Sequence, residues 1–354
     1  QANFMMNKEL GYNPDGVLLV EFADTSIVKI VRLQEILSAQ PDIAGWTVHD
    51  YPVCESTNWT RVSWDGAQED EFIRMNVNYT DHHYLDIYQM RLAEGEGFTG
   101  KQQGSEAEGN RVILNQAALD RIQMEDPIGK KLRYGGDYRG GVVGNQATIV
   151  GISDNFHFLS VHNTITPLMI RLFNQEQTGR SLSVRFETRD VAGIRDYIQK
   201  EFLAIFPELA FDYEFVDEFH KEMYAEERLM SRIVLYIAII VNIIAALGLY
   251  GLIAYTTSLR TREVGLRKVL GANFVLISKL FSKEFILLVI IANLTSWPAI
   301  YFVNQRWLQS FPYKVSTAIW PYLAAFGITL VVAWGSMLYH TYRASQINPA
   351  DSLR

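Results

Sequence analysis

The chain has 354 residues, 32 Lys and Arg against 39 Asp and Glu, and a mean hydropathy of +0.01, values that alone would fit a soluble protein of one large domain or two ordinary ones. The charges are unevenly placed: residues 1–217 hold 19 basic against 32 acidic side chains, residues 218–354 hold 13 against 7. A single cysteine, Cys54, excludes an internal disulfide and a multi-cysteine metal site, and the acidic N-terminal half gives nucleic acid no handle.

In chain order, Val17–Phe22 reads as a strand and Ser26–Ser38 as a helix whose apolar residues are Ile27, Ile30, Val31, Leu33, Ile36 and Leu37. Extended stretches follow around Trp46–Val53, Trp59–Trp64 and Glu71–Tyr79. Leu182–Glu187, Val191–Phe206 and Phe211–Val216 then repeat strand–helix–strand. Two such units in the same order predict an α+β, ferredoxin-like sandwich. Residues 109–173 read as a β-rich insertion with Gly-rich turns at Gly135-Gly136 and Gly140-Gly141. Residues 218–232 (EFHKEMYAEERLMSR) are polar and helix-forming, contain no Gly or Pro, and predict one continuous stalk helix into the next segment.

Three long apolar stretches follow, at 233–259, 285–305 and 315–342; the first runs 27 residues without a charge. Each reaches the roughly 20 residues that cross about 30 Å of hydrocarbon. The segment 260–284 carries Arg260, Arg262, Arg267, Lys268, Lys279 and Lys283, whereas 306–314 carries only Arg306 and Lys314. Positive residues stay cytoplasmic, so 260–284 and the tail 343–354 face inside, and 306–314 and residues 11–217 face outside. Ala245, Ala246, Gly248 and Gly251 form a small-residue patch suited to helix packing. Asn293, Thr295 and Ser296, just before Pro298, are expected to satisfy backbone groups near the kink or to bond a neighbouring helix; the alternative is a polar substrate path, although none of the three is ionisable.

Catalytic chemistry is not apparent. There is no G-x-x-x-x-G-K-[ST] phosphate loop, so ATP and its Mg²⁺ are expected on a separate subunit, and the chain reads as a non-enzyme with no cofactor of its own. His82 and His83 read as neighbours on a helix with diverging side chains, a poor metal pair, and His157 and His162 as structural. Asn58-Trp-Thr and Asn78-Tyr-Thr match the short N-glycosylation pattern.

The inner segment is the most informative. Arg262, Glu263, Arg267 and Lys268 alternate with Val264, Leu266, Val269 and Leu270, predicting a basic amphipathic helix over 261–270, with Gly265 within it, Gly271 as C-cap and Asn273 as N-cap of the next helix. By its chemistry it fits anionic membrane lipid or a groove on a protein partner.

RTREVGLRKVLGA resembles the signature of FtsX-like permeases, the family that includes the MacB and LolC/LolE membrane components. DPIGKKL (Asp126–Leu132), IVGISDNFHFLSVH (Ile149–His162) and NPADSLR (Asn348–Arg354) resemble the same family, particularly its Bacteroidetes-type versions. The resemblance implies a multi-pass bacterial inner-membrane protein with a periplasmic α+β domain of MacB-core type. It implies a further span before residues 1–10, so that the chain is one module, the C-terminal one, of a larger permease. The segment holding Arg262, Glu263, Val264, Gly265, Leu266, Arg267, Lys268 and Gly271 would dock on an ABC ATPase subunit, whose ATP-driven closing is relayed to the outer domain. A second permease module, an adaptor protein and an outer-membrane channel are the further partners implied. Export of a peptide or amphiphile, or lipoprotein extraction, is the activity implied; the alternative is a signalling regulator that controls an extracytoplasmic partner such as a cell-wall hydrolase.

Overall fold

The structure, a computed structural model, describes residues 8–22, 26–53, 55, 57–68, 71–99, 110–136, 144–159, 163–173, 179–259, 274–309 and 318–345. It divides into two compact units, Ala2–Ala225 and Glu226–Arg354.

The first unit begins with β1 (Val17–Glu21), α1 (Ile27–Ser38) and β2 (Ile43–His49), and ends with β10 (Ser181–Phe186), α4 (Val191–Ile205) and β11 (Asp212–Phe215). These four strands lie in the order β11-β1-β10-β2, every neighbour antiparallel, with Leu19 opposite both Ser183 and Glu214 and Ser183 opposite Thr47. That is the ferredoxin-like arrangement expected from two strand–helix–strand units. The helices pack because their apolar residues recur on one face: Ile30, Leu33 and Leu37 of α1, and Ile194, Ile198 and Phe202 of α4, are all buried. Asp190 caps α4 by accepting a 2.9 Å hydrogen bond from the Gly193 N–H. Phe22, Phe202 and Phe206 close the layer, with ring centroids 5.0–6.5 Å apart.

The insertion is larger than residues 109–173. It comprises β3 (Asn58–Trp64), β4 (Ile73–Thr80), α2 (Tyr84–Ile87), β5 (Leu92–Gly95), β6 (Arg111–Asn115), α3 (Gln116–Ile122), β7 (Lys131–Tyr134), β8 (Asn145–Ser153) and β9 (Leu168–Leu172). Strands run β4-β3-β7-β8-β6-β9, and β9 returns to pair parallel with β4, so six strands close a ring, with β5 added on β8. Closure leaves none of the six as a free edge. β3 and β4 therefore belong to the insertion, because their alternating apolar residues Val62, Met75 and Val77 fill the ring with Val112, Leu114, Leu132, Ile149 and Met169. Among the described residues one strand pair, His49 opposite Thr80, joins the ring to the ferredoxin-like lobe.

The chain leaves this unit through α5 (Val216–Met223), and α6 (Ala225–Leu259) begins two residues later. The single stalk helix expected over 218–232 is thus two helices. Val216, His220 and Tyr224 fall at i, i+4 and i+8, are 2%, 8% and 1% exposed, and hold α5 on the outer domain, so the helix breaks at Tyr224 where that ring is buried.

In the second unit α7 covers Phe274–Leu308 and α8 covers Trp320–Ser345. Among the described residues three helical segments are long and apolar enough to cross a membrane: Arg228–Thr256, Ile286–Leu308 and Trp320–Tyr339. The helix containing the second span starts at Phe274, directly after the expected N-cap Asn273 and well before the apolar stretch at 285. Trp297 packs edge-on against Tyr322 and Phe326, with centroids 6.0 and 6.4 Å away, and Tyr250 lies 6.4 Å from Tyr339. A Cβ added at Gly248 or Gly251 would meet nothing within 4 Å, so this part of the small-residue patch faces open space in the single chain.

Candidate functional site

The residues singled out for coupling, Arg262, Glu263, Val264, Gly265, Leu266, Arg267, Lys268 and Gly271, lie outside the described residues, as do Asn273, Gly140-Gly141 and His162. The structure defines what flanks the basic segment. α6 ends at Leu259 and α7 begins at Phe274, the position after the expected N-cap.

At the other end of α6 the geometry is explicit. The loop Asp154–Phe158, part of the DNFHF landmark, is met by two segments. The His157 N–H donates to the Leu10 carbonyl at 2.8 Å. Gly11 (φ +79°) crosses so closely that a Cβ there would fall 2.5 Å from the Asn155 carbonyl oxygen, which accounts for a glycine at this point. His220 of α5 faces the same loop: burial, then Lys8 and then His220 push His157 down to about 4, and burial with Lys221 lowers His220. The His220 and Tyr224 rings meet edge-on at 5.1 Å, and Lys221 bonds Asp217 at 2.6 Å one turn back. Residues 8–12 and 216–224 therefore converge on one loop of the outer domain. Among the described residues this junction is built of backbone hydrogen bonds, a buried Tyr224 and a His pair kept neutral by burial.

The seam between the two lobes is a second polar constellation, which sequence reading missed. Asp81 accepts from the Thr47 hydroxyl (2.6 Å), the Val48 N–H (2.8 Å) and the His83 N–H (3.0 Å). Burial raises its carboxyl to about 6 against those hydrogen bonds. Asp50, raised to about 6 by burial against the pull of Arg180, sits one residue beyond β2. His49 Nε2 and Ser183 Oγ are 2.7 Å apart, and Tyr88 Oη is 2.7 Å from the same hydroxyl. That spacing suits a nucleophile and its base. However, His49 and Ser183 are fully buried, and desolvation drops His49 to about 3, which keeps it neutral. Both side chains are shielded from solvent, and their bonds tie β2, β10 and the residue after α2 into one network. Arg185 completes it, donating to the Asp15 carbonyl at 2.8 Å and the Asn13 carbonyl at 2.7 Å, and also to the Ile87 carbonyl. The only signal in the sequence was polar residues at strand positions (Thr47, His49, Ser183, Arg185) that a two-sided buried strand would make interior.

Other candidates resolve individually. The His82 and His83 rings do not diverge: they lie 3.8 Å apart in the turn before α2, because that turn is not yet helical. Among the described residues no group of three or more His, Cys, Asp or Glu could hold a metal. Asn78 is 3% exposed and bonded to Tyr51, so it is closed to a glycan, whereas Asn58 is exposed. In α7, Asn293 bonds the Val289 carbonyl, Thr295 those of Ile291 and Ala292, and Ser296 that of Asn293. These side chains serve their own helix rather than a neighbour.

Residues 21–200 match the family described as MacB-like periplasmic core domain, and residues 235–349 match FtsX-like permease C-terminal. The macrolide export ATP-binding/permease protein MacB of Neisseria gonorrhoeae is 22% identical over 285 residues, which cover 76% of this chain and 42% of that protein. The chain thus spans about two-fifths of the length of that curated relative. Among solved structures, the periplasmic region of MacB from Actinobacillus actinomycetemcomitans aligns with TM-score 0.44 at 10% identity, covering 62% of this chain and 98% of that one. The extracellular domain of the noncanonic ABC-type transporter YknZ from Gram-positive bacteria aligns with TM-score 0.38 at 12% identity, covering 56% and 98%.

Proposed function

This chain belongs to the family of FtsX-like permeases with a MacB-like periplasmic core domain, and from that premise we propose that it moves its outer domain in response to ATP hydrolysis on a separate ABC ATPase subunit. The observation that carries the reading is the anchoring of Tyr224: its ring is buried in the outer domain, and an uninterrupted helix of 35 residues starts at the next position and ends where the basic segment begins. At about 1.5 Å per residue that helix is a rod of roughly 50 Å. A force applied to residues 260–273 reaches the loop Asp154–Phe158 through it. Arg262, Arg267 and Lys268 supply charge complementarity to the ATPase, Val264, Leu266 and Val269 the apolar contact, and Gly265 and Gly271 the close approach and the stop. ATP and Mg²⁺ act on that subunit, and a second permease module supplies the other half of the assembly. The cargo is a peptide, an amphiphile or a lipoprotein, delivered outward with an adaptor and an outer-membrane channel.

The test is the double reversal Arg267→Glu, Lys268→Glu beside Tyr224→Ala. Repulsion replacing close attraction is worth several kcal/mol, so the reversal abolishes co-purification of the ATPase and all ATP-dependent activity, with the outer domain folded. Tyr224→Ala retains the ATPase but uncouples its hydrolysis from outer-domain movement, read by a spin-label or fluorescence distance within residues 8–225. A double reversal that keeps both ATPase and activity assigns the basic segment to lipid instead.

A further inference from the structure

The ring of the insertion carries a cationic wall on a domain that is otherwise strongly acidic. Strand alternation puts the interior residues Val62, Met75 and Leu132 on one side and Arg61, Arg74, Lys131 and Arg133 on the other. Register confirms the common face: Arg61 is directly opposite Arg74, Ser63 is opposite Arg133, and the Arg133 guanidinium lies 3.5 Å from the Ser63 hydroxyl. Two of the arginines are stacked on aromatic rings, Arg74 over Trp59 at 4.4 Å and Arg61 over Phe72 at 5.0 Å. Trp59 is 54% exposed and Phe72 39%, so both rings are presented outward with their cations. Among the described residues the buried Arg61 Nε–H has no hydrogen-bond partner. Among the described residues no carboxylate lies within 4.0 Å of any of the four cations.

Like charges placed directly across a strand pair repel and destabilise the sheet. Arg61 opposite Arg74 is such a pair, and among the described residues no carboxylate within 4.0 Å offsets it, in a part of the chain that carries 32 acidic side chains. From this arrangement we infer that the outer wall of β3, β4 and β7 is a docking surface for an acidic protein partner outside the membrane. Charge complementarity selects the sign of the partner. The side chains select its class: exposed Trp and stacked Arg, spread over the outer face of three strands, are the side chains that concentrate binding energy in protein interfaces. A guanidinium already stacked on a ring is pre-oriented for a carboxylate fork, which a lysine would not be. The inference stands on the insertion alone and does not depend on how, or whether, an ATPase drives the chain.

The full chain, in nanodiscs of neutral phosphatidylcholine, is titrated with a fluorescein-labelled synthetic peptide of repeated Asp-Glu-Leu-Glu units. The wild type binds it with an affinity that falls as salt rises, and it ignores the Lys-Lys-Leu-Lys counterpart. Arg61→Glu with Arg74→Glu weakens binding at least about tenfold, Arg61→Lys with Arg74→Lys weakens it a few-fold by keeping charge but losing the stacked fork, and Lys200→Glu on α4 leaves it unchanged. Circular dichroism and the outer-domain melting temperature show whether the reversals fold. Should they not fold, Trp59→Ala, which strips the exposed ring from Arg74 without adding a charge, is expected to weaken binding a few-fold. Absence of peptide binding, or binding equal in the wild type and the Arg61/Arg74 reversal, overturns the inference. So does capture by phosphatidylglycerol vesicles in preference to the peptide, which assigns the wall to membrane.

Discussion

The outer domain and the membrane-spanning helices satisfy their polar groups in opposite ways. In the outer domain the partners are far apart in sequence: Asp81 holds Thr47 and Val48, Arg171 reaches Tyr79 at 3.0 Å, and Arg185 bonds Asn13 and Asp15, some 170 residues away. In the helices the partners are one turn away: Asn242 bonds the Ala238 carbonyl, Thr256 that of Leu252, Asn293 that of Val289 and Thr329 that of Ala325. Hydrocarbon offers no water to a side chain displaced from its partner, so a spanning helix that closes its own polar groups is safe in any packing. A domain in water can depend on distant partners, and doing so ties separate lobes into one body. The outer domain is therefore expected to break at named atoms and the helices to tolerate polar substitutions.

The largest effect is expected at the seam. Asp81→Ala strips acceptors from the buried Val48 N–H, the Thr47 hydroxyl and the His83 N–H together, beside the one backbone pair that links β2 to β4 among the described residues. Buried donors left without acceptors cost about 1–3 kcal/mol each, so the outer-domain transition should weaken by roughly 3 kcal/mol in thermal or urea unfolding. Asp81→Asn keeps acceptor oxygen and should cost less. A loss below about 1 kcal/mol would mean that water relieves the seam and that the lobes are not bound through it.

Acid comes next. His49 is pushed down to about 3 in the folded domain from an ordinary 6.5, so between those values the unfolded chain takes up a proton that the folded chain refuses. Stability is then lost as pH falls below 6.5, by about 2 kcal/mol at pH 5 for this one group. Asp81 works against it: with its folded value raised to about 6 from 3.8, it is the folded form that gains a proton first, and stability rises as pH drops through that range. His49→Gln should therefore flatten the acid limb or reverse it, read as unfolding midpoint against pH. If the wild type and this variant lose stability in parallel from pH 6.5 to 5, His49 is not the group responsible.

How far all this could be read in advance differs between the same two regions. Spans are legible because a bilayer selects long uncharged runs whatever they pack against, and the two strand–helix–strand units are legible because their helices bury a regular i, i+4 face. The insertion was underestimated at 109–173 since its first strands, Asn58–Trp64 and Ile73–Thr80, carry the alternation of any half-buried sheet, and only the return of β9 to β4 shows which lobe they close. The junction was misread because EFHKEM is polar by composition, although Val216, His220 and Tyr224 share a face. The seam could not be found at all: Asp81 and His49 gain meaning from residues more than 30 positions away. The assignment of the basic segment 260–273 to coupling rests on its resemblance and its basic, amphipathic pattern, and those residues lie outside the described ones.

The smallest effect is expected inside the membrane, and it separates two accounts of the polar group before Pro298. Proline lacks the N–H that would bond the Leu294 carbonyl, and a hydroxyl nearby is a common substitute in spanning helices. Yet the Thr295 hydroxyl bonds the Ile291 and Ala292 carbonyls, 3.0 Å each, and Ser296 bonds that of Asn293. Those carbonyls already accept within the helix, so the second bond adds little. Thr295→Val and Asn293→Leu remove it while filling the same space, and polar contacts between spanning segments average well under about 1 kcal/mol when measured by double-mutant cycles. Both variants should therefore insert, keep their helix and lose less than about 1 kcal/mol in detergent unfolding, with wild-type expression. A loss of several kcal/mol from either would show that the side chain swings away from its own carbonyl to bond a neighbouring segment. The helices would then depend on distant partners as the outer domain does, and the contrast between the two regions would fail at this point.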